Sequence, residues 1–204
     1  MTAVYVEEGP DKGAIWHFGQ PAQEQRALAE GKAWADLSHL AIIAVTGDDR
    51  IKWLHDLTTQ HLLSIEAGDW LPAMILDHNG HVEYQFNLVD DGTTTFIVID
   101  PAYAEGLLAY LLKMRFMLKV DAADSSSEYA VLRAPGQPNE IGGPYALVPR
   151  GELDEMKKVF NENAKEVGTW SLDAERVAAG RPRHGVDTDH KTIPNELGVL
   201  NKDV

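Results

Sequence analysis

The feature that most constrains the fold is a run of three β-strand patterns joined by short turns across residues 70–100. Residues 70–77 and 81–89 flank Asn79-Gly80, a dipeptide typical of two-residue turns in β-hairpins. In the second of these runs apolar and polar side chains alternate, as in a strand with one buried face. A third strand pattern follows the turn at 90–92. The three patterns together predict an antiparallel meander.

Helical patterns and further strand patterns surround this meander. Helices are predicted from Pro21 to about Gly31, Asp48 to Leu62, Pro101 to Met117, Glu152 to Val167, and from Ser171 as N-cap to Gly180. Further strands are predicted at 40–47, 128–136 and 144–150. Strands in meanders covered by helices indicate an α+β fold. The segment 121–128 is the best internal boundary, which predicts two subdomains, 1–124 and 125–204.

The composition is that of a strongly acidic globular protein. The 204 residues carry a net charge of −14, so direct binding of nucleic acid is not expected. There is no cysteine, which excludes disulfides, thiolate metal sites and thiol catalysis within this sequence. No apolar run is long enough to span a membrane, and the N-terminal segment does not resemble a secretory signal. A cytoplasmic location is therefore the expectation.

Sequence motifs of enzymes and metal sites are not recognisable in the chain. The eight histidines show no spacing specific for zinc, so no metal site is predicted. No nucleophile elbow, phosphate-binding loop or dinucleotide fingerprint is present, and no catalytic residue is predicted from motifs.

The most unusual segment is "RVAAGRPRHGVDTDHKTIPNEL", residues 176–197, in which charged side chains are interspersed with glycine and proline. Gly180 is expected to end a helix, and Gly185 allows a tight bend. Pro194 suits the first turn of a new helix, which places Glu196 near that turn. From spacing alone, the favoured interpretation is that Glu196 complements the helix dipole at the surface. The alternative is that its carboxylate binds a flat ligand through two adjacent N–H groups.

Three segments occur in an order and spacing that can be compared with a known family: "DLSHLAIIAVTGDDRIKWLHDLTTQHL", "LDHNGHVEYQFNL" and "RVAAGRPRHGVDTDHKTIPNE". Together they resemble the glycine-cleavage T-protein superfamily of folate-binding proteins, over about Trp16 to Glu196. The versions "WHFGQPAQEQRALAEG", "WLHDLTTQ" and "RPRHGVDTDHKTIPNE" are most similar to the YgfZ-type branch. That branch is implicated in iron–sulfur cluster assembly or repair and in associated tRNA modification.

The resemblance implies an α+β fold of interlocked subdomains, in which antiparallel sheets covered by helices surround a central folate site. It implies tetrahydrofolate or a derivative as the cofactor, and partners among iron–sulfur proteins or their assembly machinery. Glu196 would hold the pterin edge, and His184, Trp170 and Asp187 are the other implied cofactor-binding residues. Three cations are expected to attract the acidic folate tail: Arg181, Arg183 and Lys191.

The chain departs from the superfamily pattern at two places. Tyr84 and Gln85 stand where aminomethyltransferases carry a ligand-directed aspartate, and Glu83 is expected on the opposite strand face. After Pro-x-Glu the sequence reads "LGVLNKDV", without the YgfZ-type segment Lys-Gly-Cys-Tyr-x-Gly-Gln-Glu or the C-terminal β-barrel. The expectation is a YgfZ-type protein that lacks the barrel and binds folate, with no demonstrated catalysis of its own. A folate-dependent aminomethyl or demethylating transferase, and an interaction module that has lost folate binding, stay open as alternatives.

Overall fold

The structure, a computed structural model, describes residues 2–198, which divide into two compact units. The first unit contains residues 2–41 and 125–180, and the second contains residues 42–124 and 181–198. The sequence predicted two continuous subdomains that meet at 124/125. A unit boundary does fall there, but each unit is discontinuous, because segments far apart in the chain pair with each other. Residues 199–204, on which the expectation of a missing barrel rests, lie outside the described residues.

The elements are as follows in chain order. The strands are β1 (Val4–Tyr5), β2 (Ile15–His17), β3 (Ala33–Asp36), β4 (Ala41–Thr46), β5 (Trp70–Leu76), β6 (Val82–Asp90), β7 (Thr94–Ile99), β8 (Asp121–Asp124), β9 (Tyr129–Arg133), β10 (Tyr145–Pro149) and β11 (Lys165–Glu166). The α-helices are α1 (Pro21–Ala29), α2 (Arg50–Leu57), α3 (Pro101–Met114), α4 (Leu153–Asn163) and α5 (Thr169–Ala178). Short 3-10 helices occupy Arg150–Glu152 and Pro194–Leu197.

The second unit is built on a five-stranded sheet with the strand order β5-β6-β7-β4-β8. The predicted meander forms its first three strands, and β5 and β6 are joined across Asn79-Gly80 as an antiparallel hairpin. The segment 121–124, interpreted from sequence as part of a boundary, instead forms β8 and pairs with β4. The predicted α+β class with antiparallel sheets and helices is confirmed.

The first unit contains a four-stranded sheet with the order β10-β9-β3-β11, in which β3 and β11 are parallel. Side chains of β3 alternate between two apolar clusters, as the period of a strand requires. Trp34 packs with Leu132 and Val148, whereas Ala33 and Ala35 pack in the other cluster. The sequence did not predict β3, because a four-residue strand directly after a helix carries too little periodicity.

Four helices end or begin at other residues than expected. Helix α2 ends at Leu57 instead of Leu62, and α4 ends at Asn163 instead of Val167, because residues 165–166 form β11. Helix α5 begins at Thr169 after Gly168, so Ser171 is not the N-cap. The Ser171 side chain is buried within the first turn, and its Oγ has no hydrogen-bond partner among residues 2–198. Helix α3 ends at Met114, three residues earlier than predicted, because Phe116 adopts a φ of 44° that a right-handed helix does not allow.

A buried ion pair ties α2 to the end of β6. The Arg50 guanidinium donates to both carboxylate oxygens of Asp90 at 2.9 Å, and Thr95 Oγ1 and the Gly92 N–H also donate to that carboxylate. Burial acts to raise the pKa of Asp90, but the hydrogen bonds from Arg50, Thr95 and Gly92 outweigh it and lower the pKa below its ordinary value. The ionised carboxylate therefore stabilises the folded state.

The consequence is an acid-dependent contribution to stability. The folded-state pKa of Asp90 is lowered, so its contribution is complete above the unfolded pKa of about 3.9 and is lost as the pH falls through the folded value. Asp90→Asn should lower the free energy of unfolding at pH 7 by about 2 kcal/mol, and by progressively less below pH 4. Urea unfolding of both proteins between pH 7 and pH 3 measures this difference. A constant difference would contradict the prediction, and the exposed Asp56→Asn provides a control with little effect at any pH.

Candidate functional site

The segment that follows α5, residues 181–198, belongs to the second unit and is built from consecutive turns. In the first turn the Asp187 carboxylate accepts the Arg183 N–H at 2.8 Å, and the Asp187 N–H donates to the Arg183 carbonyl at 3.0 Å. Gly185 lies inside this turn with a φ of 74°, and a Cβ there would stand 2.0 Å from the Tyr103 hydroxyl. The bend predicted at Gly185 is confirmed, and only glycine fits it.

A second turn is closed by Asp189. Its carboxylate accepts the Lys191 N–H at 2.8 Å and the Thr192 hydroxyl at 3.1 Å. The Lys191 N–H and the Thr192 hydroxyl lower the pKa of Asp189 more than its slight desolvation raises it. The Thr192 carbonyl in turn accepts the N–H of Val82 in β6 at 2.9 Å, which joins the segment to the sheet.

Glu196 lies in the 3-10 helix that begins at Pro194, as the sequence predicted. Its Oε2 accepts the Ile193 N–H at 3.2 Å, so the carboxylate caps this helix. The side chain is exposed, and within residues 2–198 no hydrogen bond is made to its Oε1. The capping role that spacing favoured is therefore present, and one carboxylate oxygen still faces solvent.

A depression of about 540 Å³ lies beside these turns. Its walls come entirely from the segment: Val186, Asp187, Thr188, Asp189, Lys191, Thr192 and Glu196. Two of the residues implied by the resemblance, Glu196 and Asp187, thus border the same depression. The other two do not line it. Trp170 is the second residue of α5 in the first unit and is half-buried, and His184 is turned toward α3 and β6.

His184 is held on three sides within the second unit. Its Nδ1 lies 3.2 Å from Thr188 Oγ1, its ring bonds the main-chain carbonyl of Glu83, and its centroid lies 4.7 Å from that of Tyr103. Burial lowers the pKa of His184 and outweighs the raising effects of Asp100 and the Glu83 carbonyl. The neutral imidazole fits this arrangement, because one nitrogen accepts from Thr188 while the other donates to Glu83.

Of the cations expected to attract a folate tail, Lys191 lines the depression, whereas Arg183 is not among the residues that line it. Arg183 forms a two-pronged ion pair with Asp100, in which both side chains are largely buried. Its charge is therefore matched inside the unit, contrary to the sequence-based expectation. Lys191 lines the depression together with three acidic residues, Asp187, Asp189 and Glu196. This charge balance favours ligand groups that donate hydrogen bonds, and it gives a ligand carboxylate one basic contact.

Gln85 is a structural contributor that motifs did not identify. Its Nε2 donates to the Pro182 carbonyl at 3.2 Å, and its Oε1 accepts the His184 N–H at 2.9 Å. These bonds join residues 97 and 99 positions apart, so no local sequence signal could have revealed them. The sequence marked Gln85 only as a departure from the superfamily pattern.

Metal and membrane features can be assessed for the part of the chain that the structure covers. Residues 2–198 contain no group of three or more histidine, aspartate or glutamate side chains arranged to hold a metal ion. No helix within the same residues has the length and apolar character needed to cross a membrane.

Comparison with known proteins places this arrangement in a structural context. No model of a known protein family matches the chain. A similar solved structure is the aminomethyltransferase T of the glycine cleavage system from Bartonella henselae, with a TM-score of 0.79 and 16% sequence identity. The match covers 94% of this chain and 63% of the aminomethyltransferase, so the chain spans less than two thirds of that protein's length. The chain therefore has the α+β fold of a glycine cleavage system aminomethyltransferase.

Proposed function

We propose that this protein is of the YgfZ type and binds tetrahydrofolate or a derivative of it, with no demonstrated catalysis of its own. The observation that carries the proposal is the position of Glu196 beside the depression, at the end of a set of sequence matches in register. The shared fold with an aminomethyltransferase supports it, because this is the fold that the sequence resemblance implies.

The chemistry of the depression is compatible with a pterin. A pterin presents a ring N–H and an exocyclic amino group side by side, and a carboxylate accepts both in parallel. Glu196 can accept one of these groups at Oε1 and the other at the second lone pair of Oε2, which keeps the cap on Ile193, and Asp187 lies in the same wall. The Lys191 ammonium can contact a carboxylate of the folate tail.

The wider role proposed is the maintenance of iron–sulfur clusters in the cytoplasm, with effects on tRNA modification. It rests on the similarity of "RPRHGVDTDHKTIPNE" and "WLHDLTTQ" to the YgfZ-type branch. The partners would then be iron–sulfur proteins or their assembly machinery. Loss of iron–sulfur enzyme activity in cells without this protein, restored by the normal gene but not by a Glu196→Gln version, is the expected result.

Substitution of Glu196 tests folate binding directly. Glu196→Gln retains an amide oxygen that can cap Ile193 but loses the charge and one acceptor, so the Kd for tetrahydrofolate should rise about 10- to 100-fold. Isothermal titration calorimetry measures the Kd, and thermal unfolding should show an almost unchanged midpoint. Glu155→Gln, which removes an exposed carboxylate from the first turn of α4, is the matched control and should bind normally. Normal binding by Glu196→Gln would contradict the proposal, and no binding by the unmodified protein would favour the interaction-module alternative.

The alternative of a folate-dependent transferase is favoured by one observation, the name of the similar structure as an aminomethyltransferase. Against it, the Gln85 amide has both its donor and its acceptor engaged by the main chain. Turnover assays with glycine-cleavage partners and with sarcosine-like amines distinguish the two. We expect binding of tetrahydrofolate without transfer of a one-carbon group.

A further inference from the structure

Strand β6 extends beyond its neighbour β7. The pairing of the two strands runs only from Asn87 to Asp90, so residues 82–86 continue past it. The segment 182–192 is hydrogen-bonded to this extension at both of its ends. Val82 N–H donates to the Thr192 carbonyl at one end, and the Gln85 side chain bonds residues 182 and 184 at the other.

The two bonds of Gln85 need a donor and an acceptor in one side chain. Nε2 donates to the Pro182 carbonyl, and Oε1 accepts the His184 N–H. An ionised carboxylate supplies only acceptors and an aliphatic side chain supplies neither group, whereas the amide satisfies both main-chain partners. The main-chain atoms of Pro182 and His184 are thereby fixed at the start of the turn that contains Asp187.

We propose that Gln85 is a positioning residue for the candidate ligand site. Its amide holds the segment 182–192 against β6, and so sets the arrangement of Asp187, Lys191 and Glu196 around the depression. The effect on ligand affinity rests on the proposed function, whereas the effect on the segment does not. Both polar groups of the amide bond the main chain of the segment, so the role that the structure assigns to Gln85 is positioning.

The first test replaces the amide by an apolar group. Gln85→Leu should speed hydrogen exchange of the main-chain amides of residues 183–192 about tenfold in the ligand-free protein, and should raise the Kd for tetrahydrofolate by a similar factor. Gln60→Leu is the matched control, because Gln60 also donates to a proline carbonyl, that of Pro72, and accepts the His61 N–H. That variant should leave both the exchange of 183–192 and the Kd unchanged.

The second test separates the hydrogen bonds from side-chain packing. In Gln85→Glu the ionised side chain can accept from His184 but cannot donate to Pro182, whereas the protonated side chain can do both. We therefore compare the hydrogen-exchange rate of residues 183–192 in Gln85→Glu with that in the unmodified protein at the same pH. The ratio of the two rates should approach one as the pH falls from 8 to 5. Gln85→Leu should show no such recovery.

Each outcome decides the proposal. The positioning role is overturned if the hydrogen-exchange rate of residues 183–192 is unchanged in both variants. It is also overturned if exchange in Gln85→Glu is faster than in the unmodified protein by a factor that does not depend on pH. If exchange becomes faster but the Kd is unchanged, the hydrogen bonds of Gln85 do not affect the ligand site, and that part of the proposal is overturned. The unmodified protein could also fail to bind tetrahydrofolate while exchange is still faster in the variants. That result supports the role of Gln85 in holding the segment and contradicts the proposed function instead. If Gln85→Leu does not fold, the pH dependence of Gln85→Glu alone decides.

Discussion

Replacing Glu24 by alanine is expected to lower the free energy of unfolding by about 3 kcal/mol or more, a decrease of roughly 10 °C in Tm. Glu24 is fully buried, and its carboxylate accepts the N–H groups of Phe18, Gln20 and Gly168 at 2.8, 3.3 and 3.1 Å. Removing the carboxylate leaves these donors without their acceptor, at a cost of about 1–3 kcal/mol for each one that water cannot reach. Urea unfolding followed by circular dichroism measures the loss.

Two further variants show whether hydrogen bonding is the cause. Glu24→Gln keeps an oxygen for Phe18 and Gln20 but presents an amino group to the Gly168 N–H, so an intermediate loss is expected. Glu30→Ala removes an exposed glutamate of the same unit whose partner is Lys32, and should change stability by no more than about 0.5 kcal/mol. Equal losses in Glu24→Ala and Glu30→Ala would exclude the buried carboxylate as a stabilising group.

Gly47→Ala should have a comparably large effect in the second unit, about 3 kcal/mol. Gly47 directly follows β4 with a φ of 107°, and a Cβ there would stand 2.0 Å from the Lys119 carbonyl oxygen. The clash is with main-chain atoms, so rotation of a side chain cannot relieve it. Relief requires movement of the chain that leads into β8, the strand that pairs with β4. Thermal and urea unfolding measure the effect.

The matched variant for this prediction is Gly68→Ala. Gly68 has a φ of 93°, but a Cβ there would meet no atom within 4 Å. Its loss should therefore reflect backbone strain alone, about 1 kcal/mol. If both substitutions destabilise the protein equally, the close approach of Lys119 contributes nothing and the account of Gly47 is wrong.

Some features of the candidate site depend on residues close together in the chain, and others depend on contacts between distant residues. The bend at Gly185 and the helix start at Pro194 follow from side-chain chemistry within a few residues, and the sequence predicted both. The position of Glu196 and Asp187 beside one depression follows from those turns. The engagement of Arg183 by Asp100 was not predictable, because 83 residues separate them.

The helices and strands also differ in whether nearby or distant residues cause them to form. The hairpin at Asn79-Gly80 and helices α1 and α2 carry strong local patterns, and the structure contains all three, although α2 ends at Leu57 instead of Leu62. The short strands β3 and β11 carry little pattern and exist because each finds the other as a parallel partner across more than a hundred residues. Ser171 has the chemistry of an N-cap, yet it lies within the first turn of α5, because Gly168 meets the Glu24 carboxylate where the helix begins.

The sequence by itself determined those features in which a residue's own backbone preference or hydrogen-bonding groups act on near neighbours: the meander, most helices, the turns of residues 181–198 and the capping glutamate. The tertiary structure alone decided which distant groups complete them. It placed Gln85 and Val82 of β6 against Pro182, His184 and Thr192, and it returned the chain to the second unit after α5. The physical reason is that a buried donor or acceptor must be paired, while any suitable group that the fold brings near can pair it.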